Sequence, residues 1–233
     1  MWRSRDDIKY IFEPFIFGFI YNDIERCIKA KANYVVALAL LSYTEYLGAL
    51  ISGAIGSRGE GGRNFKKALS YFLKKYKQVN SSIVIRYVDK DRKPMLDKKG
   101  NPKQDTEIYG LFRCGLAHEY FIKGLGKVNN NENGYADPRR IGIELENIPK
   151  NDTLYQISQK RFIFYTNEYF RDFKKAVGKV YHQLISDFDC NLKSLDPQDP
   201  KYSPDFLEDS KITSSLLKGF YQSLDTYLSR VIL

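Results

Sequence analysis

The chain has 233 residues and carries 37 basic against 28 acidic side chains, which gives a net charge of +9. Its hydrophobic fraction of 43% and aromatic fraction of 15% are enough to bury a core, so a wholly disordered chain is excluded. Three widely spaced cysteines exclude a disulfide framework or a cysteine-based zinc cluster, and two histidines exclude a histidine-rich metal site. We therefore expect no metal, no cofactor and a cytoplasmic location.

The positive charge is concentrated in the first half of the chain. Residues 1–123 hold 22 basic and 13 acidic side chains, whereas residues 124–233 are balanced. The densest region runs from Arg58 to Lys77, where seven basic residues stand against one acidic residue, Glu60. Such a field attracts phosphate-rich partners, although an ordinary solvated helix face has the same composition. The candidate RNA-binding residues in this region are Arg63, Lys66, Lys67 and Lys74.

The first half of the chain predicts helices. A helix over 7–31 places four apolar residues on one face: Phe12, Phe15, Ile16 and Phe19. A second helix from Asn33 to about Ile51 is apolar on nearly all sides but carries Glu45 at its centre. Because a lipid-facing helix rarely holds a carboxylate there, we interpret this stretch as a buried helix and expect no membrane partner. A glycine-rich loop follows at 53–62.

The remaining elements predict a mainly α fold with small β inserts. Apolar residues at helical spacing predict a basic amphipathic helix over 63–78, and further helices are expected at 105–122, 166–188 and 205–231. A strand at 82–88 leads into a charged loop at 89–105 that resembles a hairpin tip, and strands at 141–145 and 161–165 are expected to pair. Residues 196–204 read as a linker. Strands do not alternate regularly with helices, which disfavours a parallel α/β sheet.

One segment combines apolar helical character with two chemically active side chains. Arg113 and His118 lie inside the apolar stretch Ile108–Phe121, where a cation and an imidazole cost desolvation unless they are paired or face a cleft. At 3.6 residues per turn they are about 140° apart, so they do not share one face of an ideal helix. They meet only if the helix loosens near Gly115 or if a second copy packs against it. Phosphate loops, dinucleotide fingerprints, zinc-protease motifs and nucleophile elbows are absent from the sequence.

This segment resembles the HEPN family (higher eukaryotes and prokaryotes nucleotide-binding domain), whose signature is Arg, four to six residues, then His in a late helix. An early apolar helix with a central Glu and a basic amphipathic helix precede it, and the resemblance extends over 10–188. It implies an up-and-down helical bundle over 1–190 with inserts near 82–104 and 124–165. Residues 191–233 would then form a linker and a C-terminal helix packed on the same domain.

The resemblance also implies a homodimer in which two copies of the motif face each other and cleave RNA without metal. Arg113 would hold the scissile phosphate, and His118 would act as general acid or base. A protein partner such as an antitoxin is expected by the same resemblance.

Two other interpretations remain open at this stage. Active members of the family usually carry a polar residue after the Arg, and here that residue is Cys114, which favours a module that binds nucleotide, RNA or a protein without catalysis. Alternatively, the Arg and His are structural, with Glu45 or Glu119 as supporting partners of Arg113.

Overall fold

A computed structural model gives the fold and describes residues 2–87, 89–91, 93–119, 126–129, 135–147, 160–194 and 205–231. The chain divides into two compact units. Unit 1 comprises Met1–Arg26, Tyr43–Phe72 and Phe173–Leu233, and unit 2 comprises Cys27–Ser42 and Leu73–Asp172.

Helices make up most of the described chain. The α-helices are α1 Arg5–Tyr10, α2 Tyr21–Lys29, α3 Asn33–Ser52, α4 Gly61–Leu69, α5 Lys74–Ser82, α6 Gly115–Glu119, α7 Thr166–Lys193 and α8 Ser215–Val231, and two π-helical stretches are π1 Ile11–Ile20 and π2 Tyr109–Cys114. The predicted mainly α, bundle-like class is therefore confirmed.

Short strands form three small sheets in the described residues. The strands are β1 Trp2–Ser4, β2 Val84–Arg86, β3 Gln104–Thr106, β4 Gly126–Asn129, β5 Ile143–Asn147, β6 Lys160–Tyr165 and β7 Phe206–Glu208. The predicted hairpin is confirmed as β2–β3, and the predicted pairing is confirmed as antiparallel β5–β6. Two features were not predicted: β4 pairs parallel with β6, and β1 pairs antiparallel with β7. Strands of three or four residues are too short to show an alternating pattern.

The first helix is continuous from α1 through π1 into α2, and its buried stripe differs from the predicted one. Apolar side chains recur every fourth position along the buried side: Ile8, Phe12, Ile16, Ile20 and Ile24. The prediction that Phe15 and Phe19 share the buried face of Phe12 was wrong, because these two rings are 42% and 57% exposed.

Pro14 gives a physical reason for this difference. It lies inside π1, where it has no N–H to donate and where its ring would clash with the carbonyl four residues earlier in an α-helix. A π-turn closes an i→i+5 hydrogen bond and so holds more residues than an α-turn, which relieves the clash. The same widening keeps residues four apart in line, whereas the prediction assumed 3.6 residues per turn.

The helix predicted over 63–78 is in fact two helices. α4 ends at Leu69, where the hydroxyl of Ser70 donates to the carbonyl of Lys67 at 2.7 Å, and Leu73 is extended with φ −62° and ψ 145°. α4 belongs to unit 1 and α5 to unit 2. The apolar spacing continues across the break, since Phe65, Leu69, Phe72 and Tyr76 are all buried, so it gave no sign of the interruption.

In the last third of the chain, one helix is longer than predicted and another is shorter. α7 extends to Lys193, whereas the helix predicted over 205–231 begins only at Ser215, after β7 and a short 3₁₀ turn at Asp209–Lys211. The predicted linker at 196–204 lies outside the described residues.

In unit 1, a buried arginine fixes the N-terminal strand. Arg3 is 5% exposed. Its guanidinium donates two hydrogen bonds to the carboxylate of Asp225, at 2.7 and 2.6 Å, and two to that of Asp209, at 2.5 and 3.1 Å. It also lies over the ring of Tyr221, with its Cζ 5.0 Å from the ring centroid. Its hydrogen bonds to Asp225 and Asp209 raise the pKa of Arg3 above its ordinary value, so the guanidinium stays charged.

α3 is the one helix in the described residues that is long and apolar enough to cross a membrane by length and composition. About 56% of its most apolar window is buried inside the protein, and core helices of soluble proteins pass the same test. The predicted absence of a membrane partner therefore stays a prediction.

α8 packs closely on the second half of α3 within unit 1. A Cβ placed on Gly219 would lie 2.4 Å from the carbonyl oxygen of Ile51, a distance that real Cβ atoms do not show. The hydroxyl of Ser223, one turn along α8, donates to the carbonyl of Ala49 at 3.0 Å. Gly178 in α7 offers a contrast, because a Cβ there would meet nothing within 4 Å.

We predict that Gly219→Ala lowers the free energy of unfolding by about 1–3 kcal/mol, because the added methyl group forces two helices apart. Gly178→Ala is the matched control, and it should raise that free energy by about 0.5–1 kcal/mol through the higher helix propensity of alanine. Urea unfolding followed by circular dichroism measures both. Equal effects of the two substitutions would contradict the close approach of α8 to α3.

Candidate active site

The helix that carries Arg113 and His118 begins at a strained residue. Glu107 follows β3 with a φ of +74°, and its N–H donates to the carbonyl of Ile83 at 3.3 Å. The side chain of Asn80 in α5 then accepts the N–H of Ile108 at 2.9 Å, which satisfies one of the unpaired donors at the start of the helix. The β2–β3 hairpin and α5 together therefore fix where this helix starts within unit 2.

One face of the same helix packs into the core of unit 2. Its apolar residues Ile108, Leu111, Phe112 and Leu116 are buried. The ring of Phe112 lies 5.6 Å from that of Phe164 in β6, which places the helix against the small sheet. The buried face of this helix is therefore apolar.

Arg113 lies near the end of π2 and is partly exposed, as is Cys114 beside it. The predicted separation of about 140° between Arg113 and His118 assumed an ideal α-helix. The i→i+5 turns of π2 include Arg113, and they bring residues five apart closer to one face than α-turns do. α-Helical turns resume at Gly115, so the widened part ends before His118.

The backbone of His118 and Glu119 belongs to α6, but their side chains are not among those described. The distance from the Arg113 guanidinium to the His118 imidazole therefore stays a prediction, and so does a supporting role for Glu119.

Glu45 lies in the middle of α3 and is partly exposed, in contrast to the fully buried Thr44 beside it. Glu45 belongs to unit 1 and Arg113 to unit 2. The proposed pairing of these two side chains stays a prediction.

The basic residues predicted to bind RNA are all exposed, but they do not lie on a single helix. Arg63, Lys66 and Lys67 lie on α4 in unit 1, and Arg63 pairs with Glu60 at 3.0 Å. Lys74 is the first residue of α5 in unit 2.

Several of these cations occupy helix positions that do not favour positive charge. Arg63 lies in the first turn of α4, and Lys74 and Lys75 lie in the first turn of α5. The N-terminus of a helix carries a partial positive charge, so a cation there costs stability by a few tenths of a kcal/mol up to about 1 kcal/mol. Helix stability therefore does not explain Lys74 and Lys75. Arg63, by contrast, is paired with Glu60, and Lys66 and Lys67 lie in the last turn of α4, where positive charge is favoured.

A buried polar network in unit 2 was missing from the sequence-based prediction. The hydroxyl of Tyr76 in α5 donates to Asp172 in α7 at 2.9 Å and accepts the N–H of Gly142 at 2.7 Å. Arg171 donates from its Nε to the other carboxylate oxygen of Asp172 at 2.8 Å. Burial, and then the Asp172 charge, raise the pKa of Tyr76 well above its ordinary value, so the hydroxyl keeps its proton and remains a donor.

The network extends to the loop before β5. Arg171 also donates to the carbonyls of Asp137 and Arg140, both at 2.6 Å, and Glu168 accepts the N–H of Asp137 at 3.0 Å. The only signal in the sequence was the presence of Glu168 and Asp172 among the apolar positions of α7. We assign this network a role in fixing α5, α7 and this loop, since each side chain in it is bonded to another element of unit 2.

The described residues show no group of three or more histidine, cysteine, aspartate or glutamate side chains arranged to hold a metal ion. The three cysteines, all within the described ranges, form no disulfide.

No family model, curated protein or solved structure matches this chain. The functional assignment therefore depends on the residues themselves.

We predict that Tyr76→Phe lowers the free energy of unfolding by about 1–3 kcal/mol, because it removes a donor to a buried carboxylate and an acceptor for a buried N–H. Tyr34→Phe is the matched control, since Tyr34 is 54% exposed and the change should have almost no effect. Thermal and urea unfolding of both variants measure this difference. A loss of less than about 0.5 kcal/mol for Tyr76→Phe would contradict the network.

Proposed function

We propose that this protein is a metal-independent endoribonuclease of the HEPN type, which acts on RNA in a cleft between two copies of the chain. The observation that carries the proposal is the position of Arg113 on its helix. It lies partly exposed at the end of a π-turn, five residues before His118, on a helix whose buried face is formed by apolar residues. π-Turns occur frequently at functional sites.

The reaction assigned to the two residues is attack of a ribose 2′-hydroxyl on the phosphodiester next to it in the RNA chain. The 2′-oxygen attacks phosphorus, the bond from phosphorus to the 5′-oxygen breaks, and a cyclic 2′,3′-phosphate and a free 5′-hydroxyl remain. One imidazole accepts the proton from the 2′-hydroxyl, and an imidazolium donates a proton to the leaving 5′-oxygen. Arg113 binds the phosphate oxygens and stabilises the charge that develops on them.

Such a reaction needs one base and one acid, which is why we propose a homodimer. Each copy contributes one Arg113 and one His118, so two copies supply both proton-transfer groups. Glu45 and Glu119 are proposed to orient Arg113.

RNA is proposed to reach this cleft along the exposed cations Arg63, Lys66, Lys67 and Lys74. The placement of Lys74 in a first helical turn supports a role in binding phosphate, because helix stability opposes a cation there. A cytoplasmic location without membrane attachment, and a protein antagonist such as an antitoxin, belong to the same proposal.

A second candidate is a module of the same fold that binds RNA or a nucleotide without cleaving it. The observation that favours it is Cys114, which is partly exposed next to Arg113 where a polar group would assist catalysis. A thiol is a weak hydrogen-bond donor and leaves less support for the phosphate.

We predict that the wild-type protein cleaves a mixed RNA pool in the presence of EDTA and leaves cyclic 2′,3′-phosphate ends. His118→Ala should reduce the cleavage rate at least about 100-fold, because general acid–base catalysis supplies factors of this size. Arg113→Ala should have an effect of about the same size.

His182→Ala is the matched control, since His182 is the only other histidine and is exposed on α7. Products that persist unchanged in His118→Ala would exclude the proposed mechanism. An intact RNA pool together with measurable RNA binding would favour the binding module instead.

We predict that the double variant Lys66→Glu, Lys67→Glu binds single-stranded RNA at least about tenfold more weakly at moderate salt. The slope of log K against the logarithm of the salt concentration should become less steep by about one unit for each phosphate contact that is lost. The control exchanges two other exposed lysines of unit 1, Lys211 and Lys218, for Glu and so makes the same change in net charge. Fluorescence anisotropy titrations at several salt concentrations measure both. Equal losses in the two double variants would show that only net charge matters and that α4 is not an RNA-binding surface.

A further inference from the structure

We propose that unit 1 contains a binding site for a small, uncharged, ring-containing apolar molecule. The site is a cavity of about 350 Å³ between π1, the second half of α3 and α8. The described residues that line it all belong to unit 1, so the proposal is independent of the ribonuclease assignment.

The cavity has a buried floor and aromatic walls. Ile11, Leu50 and Leu224 lie at its base and are nearly inaccessible to solvent. The rings of Phe15 and Phe19 stack almost parallel on one side, with centroids 6.1 Å apart and an angle of 8° between their planes. The cavity is therefore a depression with a defined bottom and is not a flat apolar surface.

The edge of the cavity is formed by large side chains that remain exposed without an occupant. Phe15 also lies edge-on to Tyr46, at 6.4 Å between ring centroids. Tyr10 and Tyr227 complete the edge, and both are exposed. Contiguous exposed aromatic surface is unfavourable in water and marks sites of interaction. An occupant that covers these ring faces gains from their burial.

The volume favours a small molecule over a protein surface. An apolar cavity of about 150 Å³ is known to hold benzene, so 350 Å³ accommodates a molecule of two fused rings. Cavities of about 300–1,000 Å³ are the usual range for small-molecule sites. A flat protein partner would cover the edge but leave most of this space unfilled.

The polar groups that line the cavity favour an uncharged occupant. None of the described residues that line the cavity is charged, so an ion would lose its hydration without gaining an opposite charge. The hydroxyl of Ser223 already donates to the carbonyl of Ala49 and is fully buried, so it offers no donor to an occupant. Burial, and then the nearby Tyr227, raise the pKa of Tyr46 to about 12, which keeps its hydroxyl neutral. An apolar molecule with a single hydroxyl or similar group fits this set.

The test is calorimetric titration with 2-naphthol and with its charged counterpart 2-naphthalenesulfonate. We expect saturable one-to-one binding of 2-naphthol and at least tenfold weaker binding of the sulfonate. Phe19→Ala should weaken 2-naphthol binding at least tenfold, and Tyr227→Ala, which changes a different wall, should also weaken it.

Phe206→Ala is the matched control, because Phe206 is an exposed ring of unit 1 that does not line the cavity, and binding should be unchanged. Thermal unfolding of each variant without ligand verifies that it folds.

Three results would overturn the proposal. They are no binding of 2-naphthol up to its solubility limit, equal affinity for the sulfonate, or equal losses in Phe19→Ala and Phe206→Ala. Sedimentation of the wild type and Phe19→Ala distinguishes the alternative occupant. If 2-naphthol does not bind and Phe19→Ala dissociates a wild-type dimer, this surface is an interface between copies of the chain.

Discussion

The widened turns of the two π-helical stretches determine which side chains their own helices bury and which they expose. In π1, Pro14 cannot donate a hydrogen bond, and the i→i+5 turns around it keep Ile8, Phe12, Ile16 and Ile20 in one buried line. The rings of Phe15 and Phe19 are consequently directed away from that line, and they become the wall of the cavity in unit 1. In π2 the same kind of turn ends at Arg113 and Cys114. The candidate catalytic residue and the candidate ligand site thus both depend on a departure from 3.6 residues per turn.

This departure also explains how much could be predicted from the sequence. The spacing of apolar residues and the positions of glycines correctly predicted α3, the β2–β3 hairpin, the β5–β6 pairing and most of α7. These elements follow ideal helix and strand geometry. The same reasoning failed for the faces of π1, since it applied a single angle per residue to the entire helix. It missed the interruption before α5, because a local hydroxyl bond and one extended residue end α4 without changing the apolar spacing.

The side chains of the candidate site could likewise be predicted only in part. Arg113 and His118 could be found from the sequence, since two polar side chains in an apolar helix are conspicuous. The Tyr76–Asp172 bond joins residues 96 positions apart, and the hydrogen bonds of Arg3 join the N-terminus to residues more than 200 positions away. Pairings at such separations depend on the tertiary fold, and a single sequence contains no local signal for them. Each unit nevertheless has one such buried polar group with its carboxylates in place, and breaking a pair of this kind costs more than an exposed ion pair does.

Charged and polar residues of this chain differ in how far they are buried and bonded. Arg3 and Tyr76 are buried and bonded on several sides, so folding accounts for them. Lys74 stands exposed in a first helical turn, where the helix dipole opposes its charge. Arg113 is partly exposed beside the buried apolar face of its helix. Natural chains are rarely at their stability optimum, so we use an unfavourable helix position only to choose which residue to test for binding. The local position of each cation, rather than the charge of the chain as a whole, therefore selects the residues at which the proposed RNA binding is tested.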